Sequence, residues 1–290
     1  MNESHRIELS AGTIEYADTA GDGPVVVLLH GLLMDATLWD GTVAALATGH
    51  RCVVPTLPMG AHLHPMPADA DLSLPGLARL VAEFLERLDL RDVTLAGNDT
   101  GGALVQLLMA DKRDSERLGR VVLVSCEAFD NLPPGLTGRT VVRAGRLPAR
   151  LFGLFMRQLR LRPLRRLPFT FGWLTKRGDA TVAGWVRPVT TRPDIARDAV
   201  RLLRAIAADT GLLVATAERL SGFDRPALVV WAAGDRVMPP EHGRRLAELL
   251  PQGRLAEVAD SHTLVPLDQP ARLAELISEF AAEPEAPDAR

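Results

Sequence analysis

Val93-Thr94-Leu95-Ala96-Gly97-Asn98-Asp99-Thr100-Gly101-Gly102-Ala103 is the stretch that decides how the rest of the chain is read. An apolar run passes into a helix-forming run with almost no loop between them. A turn that tight forces its central residue, Asp99, into a strained conformation and leaves the side chain projecting alone. Small residues two before and two after, Gly97 and Gly101, let the crossing backbones approach. Taken alone, the stretch also fits a glycine-rich turn in which Asp99 only caps a helix. Its surroundings decide.

Short apolar runs alternate with longer helical patterns on both sides, which predicts a mostly parallel sheet flanked by helices. Arg6 to Leu9 and Thr13 to Asp18 read as a leading hairpin, and Val25 to Leu29 as a buried strand. Cys52 to Pro55, Val93 to Ala96, Val121 to Val124, Ala227 to Trp231 and Arg254 to Val258 complete eight strands. Leu77, Leu80, Val81, Phe84, Leu85 and Leu88 have the spacing of an amphipathic helix, and Pro270 to Phe280 closes the fold as another. Between the sixth and seventh strands the alternation stops. Short helical patterns broken at Pro148, Pro163, Pro168, Pro188 and Pro193 predict a helical cap inserted there. The expected organisation is an α/β core at residues 1–130 and 223–282, a cap at 131–222, and a flexible tail at 283–290.

Composition narrows the function classes. The 290 residues are 47% hydrophobic, enough for one large core, and the net charge of −3 gives no global polycation for nucleic acid. No apolar run approaches the ~20 residues of a membrane span, and residues 1–10 are too polar for a secretory leader. Two cysteines, Cys52 and Cys126, sit in strand-like contexts and read as buried apolar residues, so a reducing cytoplasm is expected. His62 and His64 lack the further ligands of a metal site and read as an exposed loop; no metal or cofactor is expected. Charge is unevenly spread, with 17 Lys/Arg against 5 Asp/Glu from Asn131 to Leu220. Arg157, Arg160, Arg162, Arg165 and Arg166 cluster among leucines there. That pattern is a solvated helix face or a surface for anionic substrates, a carrier protein or phospholipid.

The elbow resembles that of the α/β-hydrolase superfamily, with aspartate in place of serine as in haloalkane dehalogenases and epoxide hydrolases. Four further segments carry the resemblance in the required order. His30-Gly31 looks like the oxyanion loop, with Trp39 eight residues beyond the glycine, and Val54 to Gly60 resembles the loop after the fourth strand. Val230 to Pro240, containing Asp235, resembles the acid loop, and Asp260 to Pro266, containing His262, the histidine loop. The resemblance implies Asp99 as nucleophile, His262 as base, and the backbone N–H groups of Leu32 and Thr100 as oxyanion donors. Asp235 is the first choice for the acid that orients His262. Glu127 is the alternative, because some haloalkane dehalogenases place their acid after the sixth strand. His30, Trp39, Asn98, Phe129, Trp173 and Trp185 are candidates to line the substrate pocket.

An aspartate with an ordinary pKa near ~3.9 is ionised at neutral pH and needs no base before it attacks. Attack on an ester carbonyl would give an anhydride that reverts. Attack on an sp³ carbon gives an alkyl ester, which water activated by His262 cleaves. Both resembling families have helpers that this chain lacks. The halide-binding tryptophan and asparagine of haloalkane dehalogenases fall at Thr100 and Leu32, and the arginine that fluoroacetate dehalogenases place after the nucleophile is also Thr100. The cap tyrosines of epoxide hydrolases have no counterpart, since Tyr16 in the hairpin is the sole tyrosine. Three readings follow. One is a hydrolase of a small apolar substrate through an Asp99 alkyl-enzyme, acting as a monomer or homodimer. Another is an ester or lactone hydrolase, or a non-hydrolytic tailoring enzyme, with Asp99 as base or anchor. The last is a non-catalytic ligand binder on a hydrolase scaffold.

Overall fold

The computed structural model describes residues 3–282, so the expected tail at 283–290 lies outside the described residues. The strands are β1 (Glu3–Leu9), β2 (Gly12–Asp18), β3 (Val25–Leu29), β4 (Arg51–Thr56), β5 (Val93–Asn98), β6 (Leu118–Val124), β7 (Ala227–Ala232) and β8 (Gly253–Val258). They form one sheet in the order β1-β2-β4-β3-β5-β6-β7-β8. β1 and β2 pair antiparallel, β2 joins β4 antiparallel, and every later pairing is parallel. All residues of β5 and β7 are buried, so β7 reads as an unbroken apolar run and β5 shows no alternation of apolar with exposed polar residues.

The helices before the seventh strand are α1 (Asp40–Leu46), α2 (Leu74–Arg87), α3 (Thr100–Met109), α4 (Gly135–Ala144), α5 (Ala149–Arg157), α6 (Arg162–Arg165), α7 (Asp179–Thr191), α8 (Pro193–Ala208) and α9 (Leu212–Leu220). α10 (Pro240–Leu249), α11 (Val265–Asp268) and α12 (Pro270–Ala281) follow it. α2 shows how sequence makes these elements. Ser73 caps it by accepting the Gly76 N–H at 3.1 Å, and Pro75 suits the first turn, where its missing N–H costs nothing. Leu77, Leu80, Val81, Phe84 and Leu85 then bury one face against the sheet. Each such side chain contributes about 1.5–3 kcal/mol.

Between β6 and β7 the chain is helical from α4 to α9, with no strand among the described residues. Pro148, Pro163, Pro168 and Pro193 stand at the starts of helical turns, as expected. Pro188 does not break the chain. It lies inside the last turn of α7, where a single lost N–H bond is tolerated. No helix among the described residues is long and apolar enough to cross a membrane. Cys52 and Cys126 are free and buried.

The chain runs from β3 to β4 on one side of the sheet, then crosses to β5 on the other side of β3. The carboxyl ends of β3 and β5 therefore flank the point where strand order reverses, the usual place for a ligand crevice in such sheets.

Candidate active site

The turn between β5 and α3 is held by close backbone packing. Asp99 has φ +54° and ψ −132°, a conformation that a residue with a side chain rarely adopts. A Cβ on Gly97 would strike the backbone of Gly101, and one on Gly101 would strike the carbonyls of Leu29 and His30. Gly31 faces Asp99 so closely that a Cβ there would overlap its carboxylate. The carboxylate is 5% exposed and accepts the Leu32 N–H at 3.2 Å, with the Thr100 N–H also favouring its ionised form. Burial outweighs these bonds and pushes its pKa up to about 6, with the negative charge of Asp235 adding to the rise. The group is therefore less acidic than the sequence suggests, yet still mostly ionised at pH 7.

Three loops are knotted beside Asp99. Asn98 donates to the carbonyls of Val124 and Thr263, both at 2.8 Å. The Thr263 hydroxyl donates to Asp235 Oδ1 at 2.8 Å, and the N–H groups of Val237 and Met238 donate to the same oxygen. Asn98 and Thr263, the neighbours in sequence of Asp99 and His262, are thus bonded to each other, and Thr263 in turn to Asp235. No hydrogen bond joins the His262 ring to Asp99, Asp235 or Glu127. Instead, His262 Nδ1 and Asp235 Oδ2 are both buried without partners. Burial lowers the His262 pKa, which keeps the imidazole neutral and basic near pH 7, and raises that of Asp235.

Glu127 follows β6 and sits against Thr100, the first residue of α3. It is 2% exposed, and its Oε1 accepts the Thr100 hydroxyl at 2.8 Å while Oε2 has no partner. Burial, reinforced by the Asp99 charge, pushes this carboxyl well above the usual carboxylate range and so favours its protonated form.

Comparison with known proteins fits this architecture. A family described as alpha/beta hydrolase fold matches residues 24–270. The chain belongs to that family. Haloalkane dehalogenase 2 of Mycobacterium tuberculosis is 25% identical over 280 residues, 96% of this chain and 94% of that protein. A thermophilic esterase from Thermogutta terrifontis superposes with a TM-score of 0.74 at 21% identity, covering 96% of this chain and 97% of the esterase. The enol-lactonase from Burkholderia xenovorans gives 0.73 at 22% identity, covering 96% of this chain and 100% of that one. The molecule is an enzyme of the alpha/beta hydrolase fold.

In this alpha/beta hydrolase a cavity of about 100 Å³ lies between the sheet and the helical segment. Asp99, Glu127 and Leu32 line its sheet side; Leu132, Val141, Phe155, Met156, Phe169 and Phe171 are among the apolar side chains around the rest. His30, Trp39, Asn98, Phe129, Trp173 and Trp185, expected from sequence to line the pocket, do not line this cavity. His30 is fully buried and accepts the Leu57 N–H on Nε2, joining two loops; burial lowers its pKa to about 4, so it is neutral. Trp39 is core. Phe129 packs edge-on to His242 beneath the Arg245 guanidinium. Trp173 packs against the core, and Trp185 donates its indole N–H to Asp35 and Thr37 at 3.0 and 2.8 Å. His62 is also not in an exposed position. It is buried, accepts the Gly60 N–H and lies 3.5 Å from Asp198.

Sequence reasoning missed Asp268. It is fully buried and accepts the His262 N–H, the Lys176 and Arg177 N–H groups and the Thr175 hydroxyl. With the Leu264 N–H donating to the Leu174 carbonyl at 2.8 Å, it fastens the helical segment to the histidine loop. Its one sequence signal is a lone acid in an apolar turn between Pro266 and Pro270.

Proposed function

We propose that this protein hydrolyses a small, largely apolar substrate by displacement at carbon through an Asp99 alkyl-enzyme, with the helical segment as its cap. The observation that carries the reading is the seating of Asp99's own carboxylate on the Leu32 N–H, with the Thr100 N–H at the start of α3 beside it. Those donors are set where oxyanion charge develops when water attacks the ester carbonyl of an alkylated aspartate. The remaining carboxylate oxygen attacks the substrate. His262, neutral at pH 7, takes the proton of the hydrolytic water, and Asp235, whose Oδ2 is likewise unpartnered, is the acid we assign to its unpaired Nδ1. Attack requires an ionised Asp99, so the alkylation rate rises with pH through about 6 and then levels.

The missing halide and tyrosine donors favour an oxygen leaving group assisted by Glu127. Its Oε1 already accepts from Thr100, so the proton of the neutral acid resides on Oε2. As Asp99 attacks an epoxide carbon, the C–O bond breaks and that proton passes to the departing oxygen. Glu127 is left as a carboxylate to be reprotonated before the next turnover. A second reading draws on the Asp99 pKa of about 6, which also suits a general base in ester or lactone hydrolysis.

Trapping separates these readings. In His262→Gln the protein should gain the mass of the alkyl group at Asp99 when given reactive epoxides and haloalkanes. Adding Glu127→Gln should abolish the epoxide adduct and spare the haloalkane adduct, whose leaving group needs no proton. No adduct with either class would overturn the alkyl-enzyme. An epoxide adduct that survives Glu127→Gln would remove Glu127 as the acid. Label from ¹⁸O-water entering product without entering Asp99 would favour the base reading.

A further inference from the structure

The helical segment carries a face that this chemistry does not use. Residues 131–178 hold 11 Lys/Arg and no Asp or Glu. Within that stretch, Leu147, Leu151, Leu154, Phe155 and Leu161 follow the helical spacing of α5 and the turn after it, and all are exposed. Leu154 and Leu161 are each 61% exposed. Seven of the ten exposed large apolar side chains among the described residues lie between Leu136 and Phe169 in sequence, and Leu154 and Leu161 line one surface hollow, so the exposure is concentrated rather than scattered. The buried face of α5 is occupied by Phe152, Gly153 and Met156; the outer stripe has nothing packed on it.

Arg150 and Arg157 lie beside Leu154, and Arg157 and Arg160 beside Leu161. Arg139, Arg143, Arg146, Arg150, Arg157 and Arg160 are exposed, and their guanidinium groups have no hydrogen-bond or ion-pair partner among the described residues. Arg165, by contrast, is buried and bonded to Asp179 at 2.8 Å, so the segment does pair the arginine that its packing needs. An apolar stripe edged by unpaired cations fits the headgroup region of an anionic bilayer, with the leucines in the acyl boundary and the arginines at the phosphates. A second copy fits poorly, because a two-fold interface on this patch would face arginine with arginine.

We propose that this face docks on an anionic lipid bilayer. The cavity supplies a reason. Phe155 and Phe169 are exposed in the patch and also line the cavity, and Leu159 between them lines it too. An apolar substrate dissolved in the bilayer would pass from lipid to cavity along these side chains without crossing water. The docking itself does not depend on the role of Asp99.

Sedimentation with vesicles tests it on the full chain. The protein should pellet with phosphatidylcholine vesicles containing phosphatidylglycerol at low salt, and remain in solution with phosphatidylcholine alone or at high salt. Leu154→Asp with Leu161→Asp should abolish pelleting. Arg150→Gln, Arg157→Gln and Arg160→Gln together should weaken it about a hundredfold. Both variants should keep the wild-type unfolding temperature, since none of these side chains is buried. The proposal is overturned by absence of wild-type pelleting with the anionic vesicles, or by pelleting that both variants retain. It is also overturned if the wild type is a dimer in solution that the leucine variant converts to monomer, because a second copy then covers the face.

Discussion

On the sheet side of the cavity, Asp99 and Glu127 are buried acids, with Asp235 close behind, and burial drives the pKa of each upward. On the helical side the cavity wall is apolar, the outer surface is basic, and polar groups serve mainly as fasteners. α7 and the turn before it are tied to the core through Asp268, Leu174 and Trp185, and α8 through Asp198, which accepts the Met66 N–H at 2.8 Å. The bonds that α4 to α6 make stay within the segment among the described residues; Asn131, which accepts the Gly135 N–H, passes the tie on by donating to the Val237 carbonyl at 3.0 Å. The contrast shows how labour is divided. The sheet side tolerates strained backbone and buried charge because glycine-packed strands over-determine its geometry. The helical side contributes shape, and it depends on few bonds to stay in place.

Removing a fastener should therefore do the greatest damage. Asp268→Ala strands several buried donors and should lower stability by about 4 kcal/mol in urea unfolding. A loss below about 1 kcal/mol would mean that the helical side is held by apolar contact alone. On the sheet side the expected sign is reversed. The Asp99 pKa is raised on folding, so below about pH 4 both folded and unfolded states are protonated and burial costs nothing through ionisation. The cost grows as pH rises and is complete above about 6. Asp99→Asn should remove it, stabilising the protein by about 3 kcal/mol at pH 8, with the gain vanishing by about pH 4. A destabilised Asn variant at pH 8 would show instead that the carboxylate holds the elbow together. The smallest effect belongs to Trp185→Phe, which keeps a six-membered aromatic ring but loses the pyrrole N–H and its bonds to Asp35 and Thr37. It should cost about 1 kcal/mol in thermal unfolding. A cost several-fold larger would make this tie as important as Asp268.

Much of the sheet side was legible in sequence because its signals are local. Gly97, Asp99 and Gly101 encode the strand–turn–helix within five residues, and β3 begins and ends at the expected positions. The cavity was not legible. Phe155, Met156 and Phe171 look like any apolar helix positions, and nothing local separates a side chain facing a cavity from one packed in a core. Tryptophans misled for a related reason: Trp185 is buried because Asp35, 150 residues away, satisfies its N–H. Asp268 went unnoticed because the backbone N–H groups it accepts from the helical segment lie about 90 residues distant, and backbone donors leave no trace in residue identity.

The two thiols have a practical consequence for identifying the nucleophile. Electrophiles that trap a carboxylate ordinarily alkylate cysteine first, and that background obscures the adduct sought. Here Cys52 and Cys126 are both wholly buried, and burial pushes the Cys52 thiol up to about 12 and that of Cys126 upward as well. Neither presents a thiolate to reagent in the folded enzyme. An intact-mass shift of one alkyl group can then be assigned to Asp99 by a single control, its loss in Asp99→Asn, with no cysteine-free variant required.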